Sequence, residues 1–223
     1  MEMDTFLITG VSGFVGSSLA MKLLNENHCV VGIARRADFR NKEQLSENKN
    51  FTFIQGEISD ELLKKLDDLN IKGVYHLAAQ QPGSPSLQYA DFYKGNVSTT
   101  LDLLHYFKQK PIDFFCYTST ISVFGKNKKK TINEVEIPEP INNYGLTKYI
   151  SEKILEIESD NFPGKILVVR LQSVFGKNDG YGIVNTFYKQ FKNNVNVELF
   201  SNGEIYRNLI ETSTIKTSRL KIL

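Results

Sequence analysis

In Tyr144-Gly145-Leu146-Thr147-Lys148 a phenol and an ammonium stand four residues apart. On a helix that spacing puts both on one face. A phenol with a pKa of about 10 is a weak base at neutral pH, but a neighbouring ammonium favours phenolate and brings proton transfer within reach. Upstream, Tyr117-Thr118-Ser119-Thr120 closes an apolar run with hydroxyls. Thr120 there is placed to bond the oxygen of a substrate. A Tyr-x-x-x-Lys pair alone is common, so its chemistry depends on what else the chain assembles around it.

The segment Thr9-Gly10-Val11-Ser12-Gly13-Phe14-Val15-Gly16 supplies the second component. It follows an apolar strand and opens a helical pattern, the context in which spaced glycines bind a dinucleotide. Gly10 permits a tight turn, Gly13 lets backbone N–H groups approach a pyrophosphate, and Gly16 permits close packing of the helix, whose N-terminus faces the anion. With a dinucleotide in place, Lys148 gains a second task, bonding the nicotinamide ribose, and the oxidised ring adds positive charge that further favours the Tyr144 phenolate. The next strand ends Val31-Gly32-Ile33-Ala34-Arg35-Arg36. An NAD site commonly has a carboxylate there for the ribose hydroxyls. Arg35 and Arg36 instead offer guanidinium forks for a 2′-phosphate, so NADP(H) is expected in preference to NAD. Glu57, in Gln55-Gly56-Glu57-Ile58, is expected to accept from the adenine amino group.

These residues need a scaffold that brings strand ends together. Short apolar runs at Phe6 to Ile8, Cys29 to Ala34, Phe51 to Ile54, Val74 to Leu77, Phe114 to Tyr117 and Ile166 to Val169 alternate with helical patterns such as Val15, Leu19 and Leu23. Strands apolar on both faces predict a doubly wound parallel sheet covered by helices, an α/β fold. From Gly176 the chain changes to Gly- and Asn-rich loops with one helix near Ile183 to Phe191 and a short strand near Val197 to Phe200. We therefore divide it into a dinucleotide-binding domain, 1–175, and an incomplete small substrate-binding lobe, 176–223. The Lys126 to Lys130 run reads as a solvated loop.

The 223 residues carry 27 Lys and Arg against 25 Asp and Glu, a balance that excludes a whole-protein field for nucleic acid or an anionic membrane. No apolar stretch approaches the roughly 20 residues of a bilayer span, and a cytoplasmic location is expected. Cys29 and Cys116 lie in apolar strand-like runs and are expected as reduced thiols. His28, His76 and His105 are isolated and suggest no metal site.

Taken together, TGVSGFVG (9–16), HLAA (76–79), Asn96-Val97, TSTISVFG (118–125), YGLTKYISEK (144–153) and RLQSVFG (170–176) resemble the extended short-chain dehydrogenase/reductase family, the NAD(P)-dependent epimerase/dehydratases that act mainly on nucleotide sugars. The resemblance runs along nearly the whole chain. It implies a Rossmann fold and a catalytic set of Thr120, Tyr144 and Lys148. It further implies dinucleotide contacts from Gly10, Ser12, Gly13, Phe14, Val15 and Gly16, from Arg35, Arg36, Glu57 and Ile58, from Leu77, Ala78 and Ala79, and from Asn96, Tyr144 and Lys148. Substrate contacts are implied for Thr120, Ser173 and Arg207, and homodimer formation for the helices near 91–107 and 144–158. Three features depart from the family pattern. Sugar 4,6-dehydratases carry acidic residues just beyond the catalytic threonine, where this chain has Ile121 and Ser122. Many epimerases have Asn at the position of Ser173. Members normally continue well beyond the Gly203 to Ile210 segment.

Two functions follow as expectations. One is an NADP-linked epimerase or keto-sugar reductase acting on a nucleotide-sugar-like small molecule, in which Tyr144 exchanges a proton with a sugar hydroxyl or keto group while the nicotinamide exchanges hydride. The other is a non-catalytic dinucleotide-binding sensor, or a shortened member that keeps the cradle without the substrate lobe.

Overall fold

The computed structural model describes residues 3–38, 41–125, 132–133, 135–176, 182–196 and 208–212. Six strands, β1 (Thr5–Thr9), β2 (Cys29–Ala34), β3 (Phe51–Gln55), β4 (Ile71–His76), β5 (Phe114–Thr120) and β6 (Lys165–Leu171), form one parallel sheet in the order β3-β2-β1-β4-β5-β6. This is the doubly wound arrangement anticipated from the alternating pattern. The chain winds outward from β1 in one direction and then restarts at β4 in the other. That reversal leaves a crevice beyond the carboxyl ends of β1 and β4.

Strand alternation divides the apolar residues between two cores. From β1, Phe6 and Ile8 join Leu19, Ala20 and Leu23 of helix α1 (Phe14–Asn25), whereas Leu7 joins Leu103, Leu104 and Phe107 of helix α5 (Thr99–Phe107) on the other face. Helix α2 (Lys42–Ser46) adds Leu45 to the α1 side. The short helix α3 (Asp60–Leu63) and helix α6 (Asn143–Glu158) contribute Leu62, Leu63 and Leu155 to the α5 side. Only the inner strands are apolar and covered on both faces. At the edge, β3 is half-buried throughout its apolar positions, because one of its sides has no neighbouring strand.

The helical region expected near 91–107 has a specific internal form. Helix α4 (Tyr89–Phe92) passes into a π-helical turn, Tyr93–Ser98, before α5 begins. The widened turn coincides with a close approach of chain: a Cβ on Gly95 would lie 2.7 Å from the Cβ of Gln80. Helix α6 is capped by Asn142, whose side chain accepts from the Gly145 N–H at 2.8 Å and fixes the orientation of the turn that carries Tyr144.

After β6, β7 (Ser173–Phe175) leaves the sheet and pairs in parallel with β8 (Leu209–Glu211). Helix α7 (Ile183–Lys192) coincides with the expected one and has no buried residue. Tyr188 and Phe191 on it are strongly exposed. The expected strand at 197–200 and the lysine run at 126–130 lie outside the described residues. Both cysteines are free, Cys116 buried and Cys29 half-buried. Among the described residues no helix is long and apolar enough to cross a membrane, and no group of three metal-ligating side chains occurs.

Candidate active site

A cleft of about 1410 Å³ opens at the carboxyl ends of β1, β2, β4 and β5. Its wall begins at the glycine turn. Gly10 has φ +73°, and a Cβ there would stand 2.7 Å from the Ala78 nitrogen, so only glycine lets this turn meet the loop after β4. A Cβ on Gly16 would strike the Gly10 carbonyl oxygen. Gly13 is the N-cap of α1, with no side chain capping that end and no acidic residue in its first turn. The helix start therefore presents backbone donors and a positive dipole end to the cleft, where a pyrophosphate fits.

Most of the residues expected to hold a dinucleotide do line this cleft: Gly10, Ser12, Gly13, Phe14, Val15, Gly16, Arg35, Arg36, Glu57, Ile58, Leu77, Ala78, Ala79 and Tyr144. Arg35 and Arg36 are exposed at its outer end. Glu57 is there too, but its carboxylate is paired with Lys94 at 3.0 Å, and that contact holds it below the usual carboxylate range. Lys94, from the π-helical turn, is a cation at this end that motif spacing did not disclose. Of the expected substrate contacts, Thr120 and Ser173 line the cleft, with Ile121 and Ser122 beside Thr120. Arg207 lies outside the described residues.

Asn96 and Lys148 are both buried beside the cleft wall. Neither lines the cleft. Asn96 is fully buried. Its side-chain oxygen accepts from the Gln80 N–H at 2.7 Å, and its amide donates to Thr147 Oγ1 at 2.9 Å. It therefore joins the loop after β4 to α6. Lys148 is 1% exposed, its ammonium 4.0 Å from the centroid of the Tyr117 ring. Burial brings its pKa down to about 7, while the carboxylate of Glu152, one turn along α6, opposes the fall. Glu152 is in turn clamped by Arg170 of β6, at 2.8 Å to Nη2 and 3.1 Å to Nε. Tyr144 was expected to be lowered by Lys148. In the structure burial raises it, opposed by hydrogen bonds from Gln81 and Thr120.

Behind this wall His76 sits between two threonines. Ala78 N–H donates to Thr9 Oγ1 at 3.2 Å, so the Thr9 hydroxyl is free to donate to His76 Nδ1 at 2.7 Å. Thr100 directs its proton to the Asn96 carbonyl at 2.6 Å, which leaves its oxygen to accept from His76 Nε2 at 3.1 Å. The hydrogen-bond pattern assigns the neutral Nε2–H tautomer. Burial, with Lys148 as a lesser cause, moves His76 down to about 3.

Two further polar residues line the cleft, Ser119 within the hydroxyl run of β5 and Gln81 in the loop after β4. Ser119 is buried, and its hydroxyl has no hydrogen-bond partner among the described residues, an orphaned donor and acceptor suited to a polar ligand group. Gln81 donates its amide to Tyr144 Oη at 3.1 Å. Its sequence signal was only a polar pair after HLAA, and the contact crosses 63 positions of chain.

Comparison with known proteins places this geometry. The NAD dependent epimerase/dehydratase family matches residues 6–212. The uncharacterized UDP-glucose epimerase YtcB of Bacillus subtilis is 30% identical over 76% of this chain, and the match covers 56% of that protein, so the chain spans little more than half the length of this relative. The UDP-glucuronic acid 4-epimerase from Bacillus cereus, solved with UDP-glucuronic acid and NAD, is similar with TM-score 0.82 and 29% identity, covering 98% of this chain and 75% of that one. The UDP-glucose 4-epimerase of Thermotoga maritima, solved with UDP-glucose, gives TM-score 0.83 and 28% identity over 94% and 70%.

The buried neutral His76 has a measurable consequence. Its folded pKa lies below the unfolded value near 6.5, so between these the unfolded chain binds the extra proton and stability falls as pH drops from about 6.5 towards 3. His76→Gln should make this fall shallower, by up to about 1.4 kcal/mol per pH unit. Urea midpoints at several pH values between 7 and 4 would show it. Parallel curves for the two proteins would reject the assignment.

Proposed function

The chain belongs to the NAD dependent epimerase/dehydratase family, and from that membership and the cleft we propose that it oxidises and reduces a nucleotide-activated sugar at a ring carbon, as an epimerase or a keto-sugar reductase. The observation that carries the proposal is the position of Tyr144, on the cleft wall with Thr120 beside it and beyond the glycine cradle. A sensor that only bound a dinucleotide would have no use for this cluster of proton-handling groups. Ile121 and Ser122 occupy the positions next to Thr120 and offer no carboxyl group to expel a hydroxyl, so elimination of water is not part of the proposal.

A bound nicotinamide dinucleotide supplies the acceptor and donor of hydride. The glycine turn and the start of α1 hold its pyrophosphate, and the Leu77 to Ala79 backbone flanks its nicotinamide end. Arg35 and Arg36 take a 2′-phosphate, which favours NADP over NAD. Lys148 bonds the nicotinamide ribose and adds positive charge behind Tyr144. Tyr144 Oη accepts the sugar hydroxyl proton in the oxidative direction and returns it in the reductive one, while Thr120 orients the same oxygen. Ser173 and Arg207 contribute to holding the substrate, with residues 176–223 forming part of its lobe. Two chains pair through the helical regions near 91–107 and 144–158, on which Leu101 and Ile157 are exposed.

Three outcomes are expected. Incubation with NADPH or NADP⁺ and a pooled set of nucleotide sugars yields a new epimer or reduced sugar by chromatography and mass spectrometry, and Tyr144→Phe lowers that rate by about 10²-fold or more. Full turnover by the variant would remove the proton-transfer role. Replacing Arg35 and Arg36 together by alanine weakens NADPH binding about tenfold or more while changing NADH binding little. Equal losses for both cofactors would count against the phosphate site. Light scattering gives a dimer mass, and a monomer at all concentrations would reject the pairing.

A further inference from the structure

The loop after β4 places an amide on the oxygen proposed to exchange the proton: Gln81 Nε2 donates to Tyr144 Oη at 3.1 Å. This loop is held on its helical neighbour. Asn96 accepts from the Gln80 N–H at 2.7 Å and donates to the Gln80 carbonyl at 3.4 Å, and the Gln80 side chain donates to the Gln81 carbonyl at 3.2 Å. The same Asn96 amide donates to Thr147 Oγ1, three residues beyond Tyr144 on α6. Gln81 and Tyr144 thus share one support, although they belong to different elements.

The two hydrogen-bond partners of Tyr144 are not equivalent. Thr120 Oγ1 already accepts from the Ser122 N–H at 3.1 Å and directs its hydroxyl proton to Ser122 Oγ at 3.2 Å, so it serves Tyr144 only by sharing that proton. An amide N–H has no such choice and can only donate, an interaction that strengthens as its acceptor becomes negative. The ammonium of Lys148 meanwhile lies over the Tyr117 ring.

We propose that Gln81 is a catalytic residue of this site, its amide N–H holding negative charge on the Tyr144 oxygen so that the phenolate is available to take the substrate proton. The role rests on the proton-transfer reading of Tyr144. In the oxidative direction the sugar O–H bond breaks and the Tyr144 O–H bond forms. In the reductive direction the same two bonds exchange back, and Gln81 keeps its own protons throughout.

Burial alone would hold the Tyr144 phenol high, and the Gln81 contact works against it. The other titratable groups around it are Lys148 and Glu152 on α6, Tyr117 on β5 and His76 on β4. Asp91 and Lys94 lie on the cleft wall. Burial keeps His76 and Tyr117 neutral across the working range, and the hydrogen bonds of Gln81 and Thr120 are the local influences that favour the Tyr144 phenolate.

Ionisation of Tyr144 can be read without any substrate, as the tyrosinate absorbance lost between the chain and its Tyr144→Phe variant. The same difference is taken in Gln81→Leu and Gln81→Glu backgrounds. Gln81→Leu is expected to raise the Tyr144 midpoint by about one pH unit, the worth of one such hydrogen bond. Gln81→Glu, whose carboxylate cannot donate and repels phenolate, should raise it further. The acid limb of the kcat/KM profile on a turned-over nucleotide sugar should move in step, while NADPH affinity, which reports an intact fold, stays unchanged. Should the leucine variant fail to fold, Gln81→Asn, with its amide one carbon short, takes its place. Midpoints unmoved in both backgrounds would overturn the role of Gln81 whatever the substrate. Full turnover by Tyr144→Phe would instead overturn the proton-transfer reading, and the catalytic role with it, even if the midpoint moved.

Discussion

Asn96 stands at the junction of three segments, and the site is organised around its amide. A fully buried amide must satisfy both its oxygen and its nitrogen or lose their hydration uncompensated. It does so by gripping the Gln80 backbone on one side and Thr147 on the other. The Asn96 backbone carbonyl accepts from the hydroxyls of Thr100 and Ser151. A loop, a helix with a widened turn and the helix carrying Tyr144 are thereby fixed relative to one another. Because a π-turn interrupts the regular ladder, its persistence here is explained by what it positions.

Electrostatics inside this frame are arranged so that few charges are buried and each has a counterpart. Lys148 lies among Tyr117, His76 and Glu152, and only Glu152 is anionic. Arg170 compensates that carboxylate with a fork of hydrogen bonds and stacks 4.9 Å from the Phe124 ring, which ties β6 to α6. His76 is kept neutral by the same burial, so it acts as a strut between β1 and α5 rather than as a second buried cation. Among the described residues Lys148 is the strongly depressed ammonium, and it lies over the Tyr117 ring on the same helix as Tyr144.

The glycine-turn end of the cleft is built from backbone and the Tyr144 end from side chains. Gly10 and Gly16 let three pieces of main chain meet without side chains between them, a geometry indifferent to most neighbouring substitutions. The Tyr144 end is lined by Thr120, Ser122, Gln81 and Ser173, which come from three separate strand ends and loops. Helix α7, with Tyr188 and Phe191 exposed, adds no buried side chain to that end.

How much was legible in the sequence follows the range of the interactions. The parallel sheet, the glycine turn and the Tyr144–Lys148 spacing are local: period, turn chemistry and helical pitch act over a few residues, and their signals survive in the order of letters. Even the extents of β2 and α7 could be read from apolar pattern alone. Contacts between distant segments left no such trace. The pairing of Glu57 with Lys94, the withdrawal of Asn96 into the interior and the meeting of Gln81 with Tyr144 depend on which loops the strand order makes neighbours. The direction of the Tyr144 shift was decided in the same way, because the desolvation that raises it and the donors that oppose it come from elements far apart in the chain. Sequence determined which groups were available for chemistry, whereas the reversal of winding between β1 and β4 decided which of them share a low-dielectric pocket.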